Sequence, residues 1–218
     1  MSVISIFAVA LMLFVSVPSF AQGWIEYDNR VDFFGVNLPA QPSVKDIKYN
    51  TEYGVQVLPG RVYNSEAGGE RYSITVVDYS NLQKMEAERV KQCRAAGGEG
   101  DVCMDIYMHE MRGAVIFATW NLLNNALQKG SKVTRVAYSR TDLVEGQELY
   151  MTNGDGSMVI ASIYMHENRL YILEGTVPAN SPPPVVFFTS MGFLDQEGKR
   201  IRYSSPYVNG LPKPARGR

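Results

Sequence analysis

Residues 158–177 read MVIASIYMHENRLYILEGTV, and this stretch decides the fold. It contains two apolar runs rich in Ile, Tyr and Leu, at 158–165 and 169–176, with Glu and Asn at 167–168 between them. Runs of this length and composition are typical of buried strands, and a polar pair between them is typical of a tight turn. The stretch therefore predicts an antiparallel β-hairpin.

The same strand chemistry extends outward from this hairpin. Glu145 and Gly146, and the Asn-Gly-Asp-Gly sequence at 153–156, have the composition of hairpin turns. The connections between neighbouring runs are too short for parallel crossovers, so two antiparallel groups of four strands are expected. With the hairpin, these groups comprise strands predicted over 33–38, 44–49, 56–63, 71–79, 133–139 and 147–152.

Helical periodicity replaces the strand pattern between the two groups. Apolar residues from Leu82 to Cys93 recur near one helical face, and Gly97 ends this first helix. A second helix is predicted over 104–127, and a short third helix opens with the prolines at 182–184. The order of elements predicts an α+β protein, with an antiparallel sheet of about seven or eight strands and helices packed on one or both faces.

The amino terminus has the pattern of an export signal. Residues 3–15 are almost wholly apolar, Pro18 follows, and small residues stand three and one positions before Gln22. We therefore predict a signal peptide over 1–21, cleavage after Ala21 and a periplasmic location. Because no Lys or Arg precedes the apolar run, an incorrectly assigned start codon and an uncleaved membrane anchor both stay open as alternatives.

The rest of the chain is expected to form one domain over 22–203. This stretch is long enough for a single core and contains no linker rich in Pro, Gly or Ser. Residues 204–218 hold three prolines and three basic residues and little to bury. They predict a flexible tail, and the alternative is a basic docking peptide.

Composition narrows the function classes. The net charge is −1, so the chain has no excess of basic residues with which to bind the phosphates of a nucleic acid. Two cysteines cannot build a four-cysteine zinc site, and two histidines leave few general bases. The sequence also lacks a Gly-x-Ser-x-Gly elbow, a phosphate loop, a dinucleotide fingerprint and a Cys-x-x-Cys pair. These observations favour a protein without a cofactor, and they give an enzyme no support.

The two cysteines are expected to form a disulfide. Cys93 lies at the end of the first predicted helix, and Cys103 lies just before the second. In an oxidising compartment two such thiols should pair. A redox-active pair is the alternative, although such pairs normally stand two residues apart at the start of a helix.

Methionines with a neighbouring histidine suggest one candidate metal site. Met104, Met108 and Met111 recur at helical spacing, with His109 beside them. Thioether sulfur and imidazole together can hold cuprous copper. The alternative is that methionines at this spacing fill the core.

A near repeat raises a second candidate. Residues 106–112 and 163–169 match at six of seven positions, so His166 and its Glu neighbour could join His109 in a copper or zinc site. Because one copy is predicted as helix and the other as strand, coincidence is the alternative explanation.

Several short motifs carry a resemblance that covers nearly the whole chain after the signal peptide. They are Gly-Val-Asn-Leu-Pro-Ala-Gln-Pro at 35–42, Tyr-Ser-Ile-Thr-Val-Val-Asp-Tyr at 72–79, Glu-Asn-Arg-Leu-Tyr-Ile-Leu-Glu-Gly at 167–175 and Phe-Thr-Ser-Met-Gly-Phe at 188–193. In these the chain resembles a group of exported bacterial proteins of unknown function. More distantly, its Leu-Pro after an early strand and its final Phe-x-x-Ser helix are similar to the PsbP-like fold. That resemblance implies an antiparallel sheet sandwiched by helices and an accessory or binding role.

Two functions follow as expectations. The first is an exported, non-catalytic accessory or binding module that contacts a protein or envelope component through a sheet face or through aromatics such as Trp24, Tyr27 and Tyr207. The second is a periplasmic copper or zinc protein that uses His109, His166 and nearby Met or Glu side chains. No nucleic acid partner is expected, and membrane contact is expected only through an uncleaved signal segment.

Overall fold

Strands dominate the chain. The computed structural model describes residues 23–51, 57–104, 107–209 and 211–217, so the predicted signal peptide lies outside the described residues. The strands are, in chain order, β1 (Ile25–Asn29), β2 (Phe34–Leu38), β3 (Ser43–Asn50), β4 (Val57–Ala67), β5 (Glu70–Asp78), β6 (Lys132–Thr141), β7 (Val144–Thr152), β8 (Met158–His166), β9 (Arg169–Val177) and β10 (Gly192–Phe193). The helices are α1 (Leu82–Ala95), α2 (Tyr107–Gln128) and α3 (Val185–Ser190), with a short 3₁₀ helix at Gly100–Cys103.

One antiparallel sheet has seven strands in the order β3-β4-β5-β9-β8-β7-β6. The predicted hairpin of β8 and β9 lies in its middle, with His166 opposite Arg169 next to the turn. The turn residues Glu167 and Asn168 have φ of 44° and 61°, the positive values that a two-residue hairpin of this type requires. The predicted α+β class and the size of the antiparallel sheet are confirmed.

The strand predicted over 33–38 forms, but its expected place in the main sheet is wrong. As β2 it pairs with β1 on one side and β10 on the other, in a second, three-stranded sheet. Pro39 and Pro42 follow β2 directly, and because proline has no backbone N–H, a tight hairpin with β3 is disfavoured. The expected four-strand group therefore contains three strands, β3 to β5.

The turn predicted at Glu145 and Gly146 is also misplaced. The chain turns at Asp142 and Leu143, whose φ values are 48° and 63°, and Gly146 lies within β7. A side chain at Gly146 would collide with the carbonyl oxygen of Ile163 and the ring of Tyr164. Glycine at this position therefore allows β7 and β8 to pack closely. The sequence pattern alone does not distinguish such a glycine from one in a turn.

Each face of the main sheet packs against a different layer. Helices α1 and α2 cover one face, where Met111, Ala114 and Ala118 of α2 are buried against the strands. None of the described helices combines the length and hydropathy needed to span a bilayer. The second sheet and α3 cover the other face through an aromatic layer that consists of Phe34, Tyr63, Tyr72, Tyr171, Phe187 and Phe193.

A buried carboxylate joins the two sheets. Asp32, in the turn between β1 and β2, accepts hydrogen bonds from the Arg61 guanidinium, with Nε at 2.7 Å, and from the Tyr63 hydroxyl. Its backbone carbonyl accepts a further hydrogen bond from the Tyr171 hydroxyl at 2.8 Å. Because a buried charge is tolerated when it is paired and hydrogen-bonded, this network fixes how the second sheet sits on the first.

The carboxy-terminal segment contacts the domain where the sequence predicts a flexible tail over 204–218. Tyr207 bridges to Val144, its backbone N–H donates to Leu143, and Asn209 donates to the carbonyl of Met165. Arg216 bridges back to Tyr203 and pairs with Asp195 at 2.6 Å. The sequence does not reveal these contacts, because most of them are made by backbone groups and polar side chains.

The predicted disulfide is present. Cys93 near the end of α1 and Cys103 in the 3₁₀ helix are bonded, with their Cα atoms 5.6 Å apart. Gly98 lies directly against the bridge, and a Cβ there would stand 2.5 Å from the Cys103 sulfur and 2.7 Å from the Cys93 sulfur.

Gly98→Ala should therefore destabilise the oxidised protein more than the C93A/C103A variant, because removing both sulfurs makes room for the methyl group. Loss of the bridge alone should cost about 3 kcal/mol by the loop-entropy model. Urea unfolding of the four proteins in this double-mutant cycle measures both effects. Equal costs of Gly98→Ala in both backgrounds would contradict the predicted clash.

Candidate functional site

His166, the last residue of β8, lies inside the domain. It is 1% exposed, its Nε2 hydrogen-bonds the Tyr203 hydroxyl at 2.8 Å, and its ring stacks on Phe193 with the centroids 4.3 Å apart. The ring of Tyr207 lies 4.9 Å away. Burial lowers the pKa of His166 to about 4, although the nearby Glu167 acts in the opposite direction. The imidazole is neutral at physiological pH and anchors the carboxy-terminal segment.

Of the candidate ligands Met104, Met108 and His109, the structure describes the side chain of Met104 alone. Met104 directly follows Cys103 and is 48% exposed, and its backbone carbonyl accepts a hydrogen bond from Arg89 at 2.9 Å. Met108 and His109 belong to α2, but their side chains lie outside what the structure describes. Among the described residues, no group of three or more His, Cys, Asp or Glu side chains is placed to hold a metal ion.

The aromatic residues suggested as contact points are used for packing. Trp24 packs edge-on against Tyr72 at 5.2 Å, and Tyr27 lies against Tyr63. Tyr207 stacks on Tyr203 at 5.2 Å and accepts a hydrogen bond from the Glu167 backbone. Each ring is partly buried, and Tyr207 also lines a groove beside α2 and the β6–β7 hairpin.

Strand β6 is unpaired along its outer side within the described part of the chain. It is the last strand of the main sheet, and no strand among the described residues pairs with its outer side. An unpaired edge presents a row of backbone N–H and C=O groups, which another extended chain can pair with. The register with β7 is regular from Arg135 to Thr141, after an irregularity between Val133 and Arg135.

Large apolar side chains stand exposed on this edge and on the neighbouring helix. Val136 and Tyr138 of β6 are 52% and 56% exposed, and Ile116 and Trp120 of α2 are 55% and 59% exposed. Val136 lies opposite Leu149, which is buried under the helices. Since opposed residues share a face, Val136 and Tyr138 point to the helix-covered side, past the area that α2 covers.

A groove opens between α2, the β6–β7 hairpin and the carboxy-terminal segment. Its volume is about 200 Å³. Ile116 and Tyr138 both line it, so the exposed residues of the helix and of the strand meet there. Further lining comes from Met111, Val115, Gln147 and Val208. We call this groove, the outer side of β6 and the exposed Val136 and Trp120 the β6 surface.

The β6 surface carries positive charge. Strand β6 contains Lys132, Arg135 and Arg140 and no acidic residue. Arg140 lies opposite Glu145, and the Arg135 guanidinium lies over the Tyr150 ring at 5.3 Å. Neither Lys132 nor Arg135 forms an ion pair within the described part of the chain.

Periodicity gives a partial signal for this surface in the sequence. The buried residues Met111, Ala114 and Ala118 occupy one side of α2, and Ile116, Trp120 and Leu127 add large apolar residues elsewhere on the helix. When a helix has apolar residues outside its core-facing side, either the whole helix is buried or the additional residues form a contact surface.

Comparison with known proteins found a structural similarity and no related sequence. No protein-family model matches the chain, and no curated protein matches it. The chain is similar to the solution structure of cyanobacterial PsbP (CyanoP) from Synechocystis sp. PCC 6803. The identity is 14% and the TM-score 0.43, over 81% of this chain and 95% of the cyanobacterial chain. This likeness is one of fold, and the distant PsbP-like similarity predicted from the sequence is confirmed.

Acid should destabilise the protein through His166. Its pKa is about 4 in the folded state and near 6.5 in the unfolded chain. Between these values only the unfolded chain binds the proton, so stability is full above pH 6.5 and falls by about 3 kcal/mol as the pH drops to 4. Urea unfolding across this range measures the loss, and His166→Gln should flatten it. An imidazole NMR titration of His166 with a midpoint near 6.5 would refute this.

Proposed function

We propose that this protein is an exported, non-catalytic binding module whose partner adds an extended segment to the free edge of β6. One observation carries the proposal: the outer edge of β6 is unpaired among the described residues, and the exposed Ile116 of α2 and Tyr138 of β6 line one groove beside it. Edge strands are often short, charged, bulged or covered, and β6 carries three cations and one register irregularity. Strand β6 is ten residues long and borders an apolar groove.

The geometry indicates the chemistry of the partner. In strand addition, backbone hydrogen bonds supply affinity and alternate side chains supply specificity. Side chains of the added strand that point to the helix side would meet Val136, Tyr138 and the groove, which favours apolar residues at every second position. Lys132 and Arg135 favour acidic residues between them. The partner segment is therefore extended, with alternating apolar and acidic residues.

A binding role also agrees with the environment of His166. His166 is buried, neutral and hydrogen-bonded to Tyr203, so it has no access to a substrate. A general base must come within hydrogen-bond distance of the proton that it abstracts. His166 therefore supports the fold.

Export is supported by two independent features. The apolar segment at 3–15, followed by Pro18 and a small-residue site ending at Ala21, has the composition of a signal peptide. The bond between Cys93 and Cys103 is of a kind that persists in oxidising compartments.

Protein recovered from the periplasm of an expressing bacterium should begin at Gln22, and its two cysteines should resist alkylation without prior reduction. Intact-mass measurement and thiol labelling test both expectations. Ala21→Arg should block processing, because signal peptidase accepts small residues at that position. A mature chain that retains Met1, or one with two free thiols, would contradict the export proposal.

Val136→Asp should weaken strand addition by about tenfold, which corresponds to about 1.4 kcal/mol. The probe is a fluorescein-labelled peptide of alternating Val and Asp, with affinity measured by fluorescence anisotropy. Asp at 136 removes an apolar contact and repels the acidic peptide. Val44→Asp is the matched control, because Val44 is also 52% exposed and lies on β3, the opposite edge of the same sheet.

The expected result is loss of affinity in Val136→Asp alone, together with weaker binding of a Val-Lys peptide to the unaltered protein. The proposal is overturned if the acidic peptide does not bind at millimolar concentration, or if both variants lose affinity equally. Equal affinity for the acidic and basic peptides would remove the charge preference.

A further inference from the structure

A second, polar cleft lies where the carboxy-terminal end of α2 meets the main sheet. Its volume is about 540 Å³. Helix α2 contributes Asn125 and Lys129, β5 contributes Arg71, β9 contributes Glu174, and the turn between β7 and β8 contributes Asp155. The cleft shares no lining residue with the groove of the β6 surface.

Glu174 forms the acidic part of the cleft. It lies on β9, the central strand, opposite Ser73 of β5 and Ala161 of β8. Because Ala161 is buried beneath the helices, Glu174 points to the helix-covered face, where apolar residues are normal. Among the described residues its carboxylate makes no hydrogen bond or ion pair. Burial raises its pKa, and the charge of Lys129 opposes that rise.

The neighbouring polar groups of the turn are already satisfied by one another. Ser131 donates to Asn153 at 2.7 Å, and Asn153 donates to Ser157 at 2.9 Å. The Ser157 hydroxyl and backbone N–H both donate to Asp155, at 2.6 and 2.9 Å. The Oδ1 atom of Asp155 is therefore held within the turn, whereas the Glu174 carboxylate has no such hydrogen bond among the described residues.

Two exposed cations complete the charge pattern. Arg71 and Lys129 are exposed, whereas Glu174 is partly buried. Arg71 lies opposite Thr176, so it is the diagonal neighbour of Glu174 across the two strands, a spacing of roughly 7–8 Å. A negative group inside the cleft and positive groups at its edge thus lie within reach of one small molecule. Leu122, Ala126, Met151 and Val159 supply an apolar wall.

We propose that this cleft binds a small zwitterion with an apolar side chain, a free amino acid or a dipeptide. Its ammonium group meets the carboxylate of Glu174, and its carboxylate meets Arg71 and Lys129. The apolar side chain lies against Leu122 and Met151. This site is independent of strand addition at β6, and it would give the protein a small-molecule ligand in addition to a protein partner.

The test uses two zwitterions, leucine and leucyl-leucine, and two leucine derivatives that each lack one charged group, N-acetyl-leucine and leucinamide. Calorimetry or NMR titration of the full mature chain measures their affinities. We expect binding of leucine or leucyl-leucine, and at least tenfold weaker binding of N-acetyl-leucine, which lacks the ammonium group, and of leucinamide, which lacks the carboxylate.

Glu174→Gln should lower the affinity for the bound zwitterion at least tenfold. The variant should fold, because it removes an unpaired, partly buried charge. Glu26→Gln on β1 is the matched control; Glu26 is an exposed residue outside the cleft and loses the same charge. Val136→Asp should leave zwitterion affinity unchanged, which separates this site from the β6 surface.

The proposal is overturned if neither zwitterion binds at millimolar concentration, or if N-acetyl-leucine binds as well as leucine. It is also overturned if Glu174→Gln and Glu26→Gln have equal affinity for the ligand. If Val136→Asp lost zwitterion binding, the ligand would bind at the β6 surface, and the proposed site in the cleft would also be refuted.

Discussion

Burial of the central hairpin on both faces is the constraint on which the rest of the structure depends. Strands β8 and β9 are buried along nearly their whole length, so each side of them must be covered by another layer. Helix α2 covers one side with small residues such as Ala114 and Ala118. The other side needs large rings, because the second sheet is small and must fill the space with few strands. The aromatic layer, together with the Asp32 network, meets that need.

Local sequence patterns predicted most helices and strands, but they failed to predict which strands pair where that pairing depends on tertiary contacts. The hairpin at Glu167 and Asn168 has strand composition on both sides and a turn sequence between, so its neighbours could not change it. The place of β2 depends on β10, which is two residues long and more than 150 residues away in the chain. A pattern confined to one segment carries no information about such a partner.

Site residues were harder to predict than elements. Cys93 and Cys103 could be paired because they are close in sequence and alone in the chain, so no other pairing existed. His166 looked like a candidate ligand because its burial depends on Tyr203 and Phe193, which the sequence places far from it. Glu174 belongs to a run that reads as an ordinary strand, and only the register with Ala161 shows that it points under the helices.

The carboxy-terminal contacts have a consequence for the order of events during biosynthesis. Phe193, Ile201 and Tyr203 belong to the same core as Phe34 and Val36, which emerge from the ribosome first. A nascent chain therefore lacks part of its hydrophobic core until almost all of it has been synthesised. Completion of this core therefore waits for the synthesis of residues 193–203.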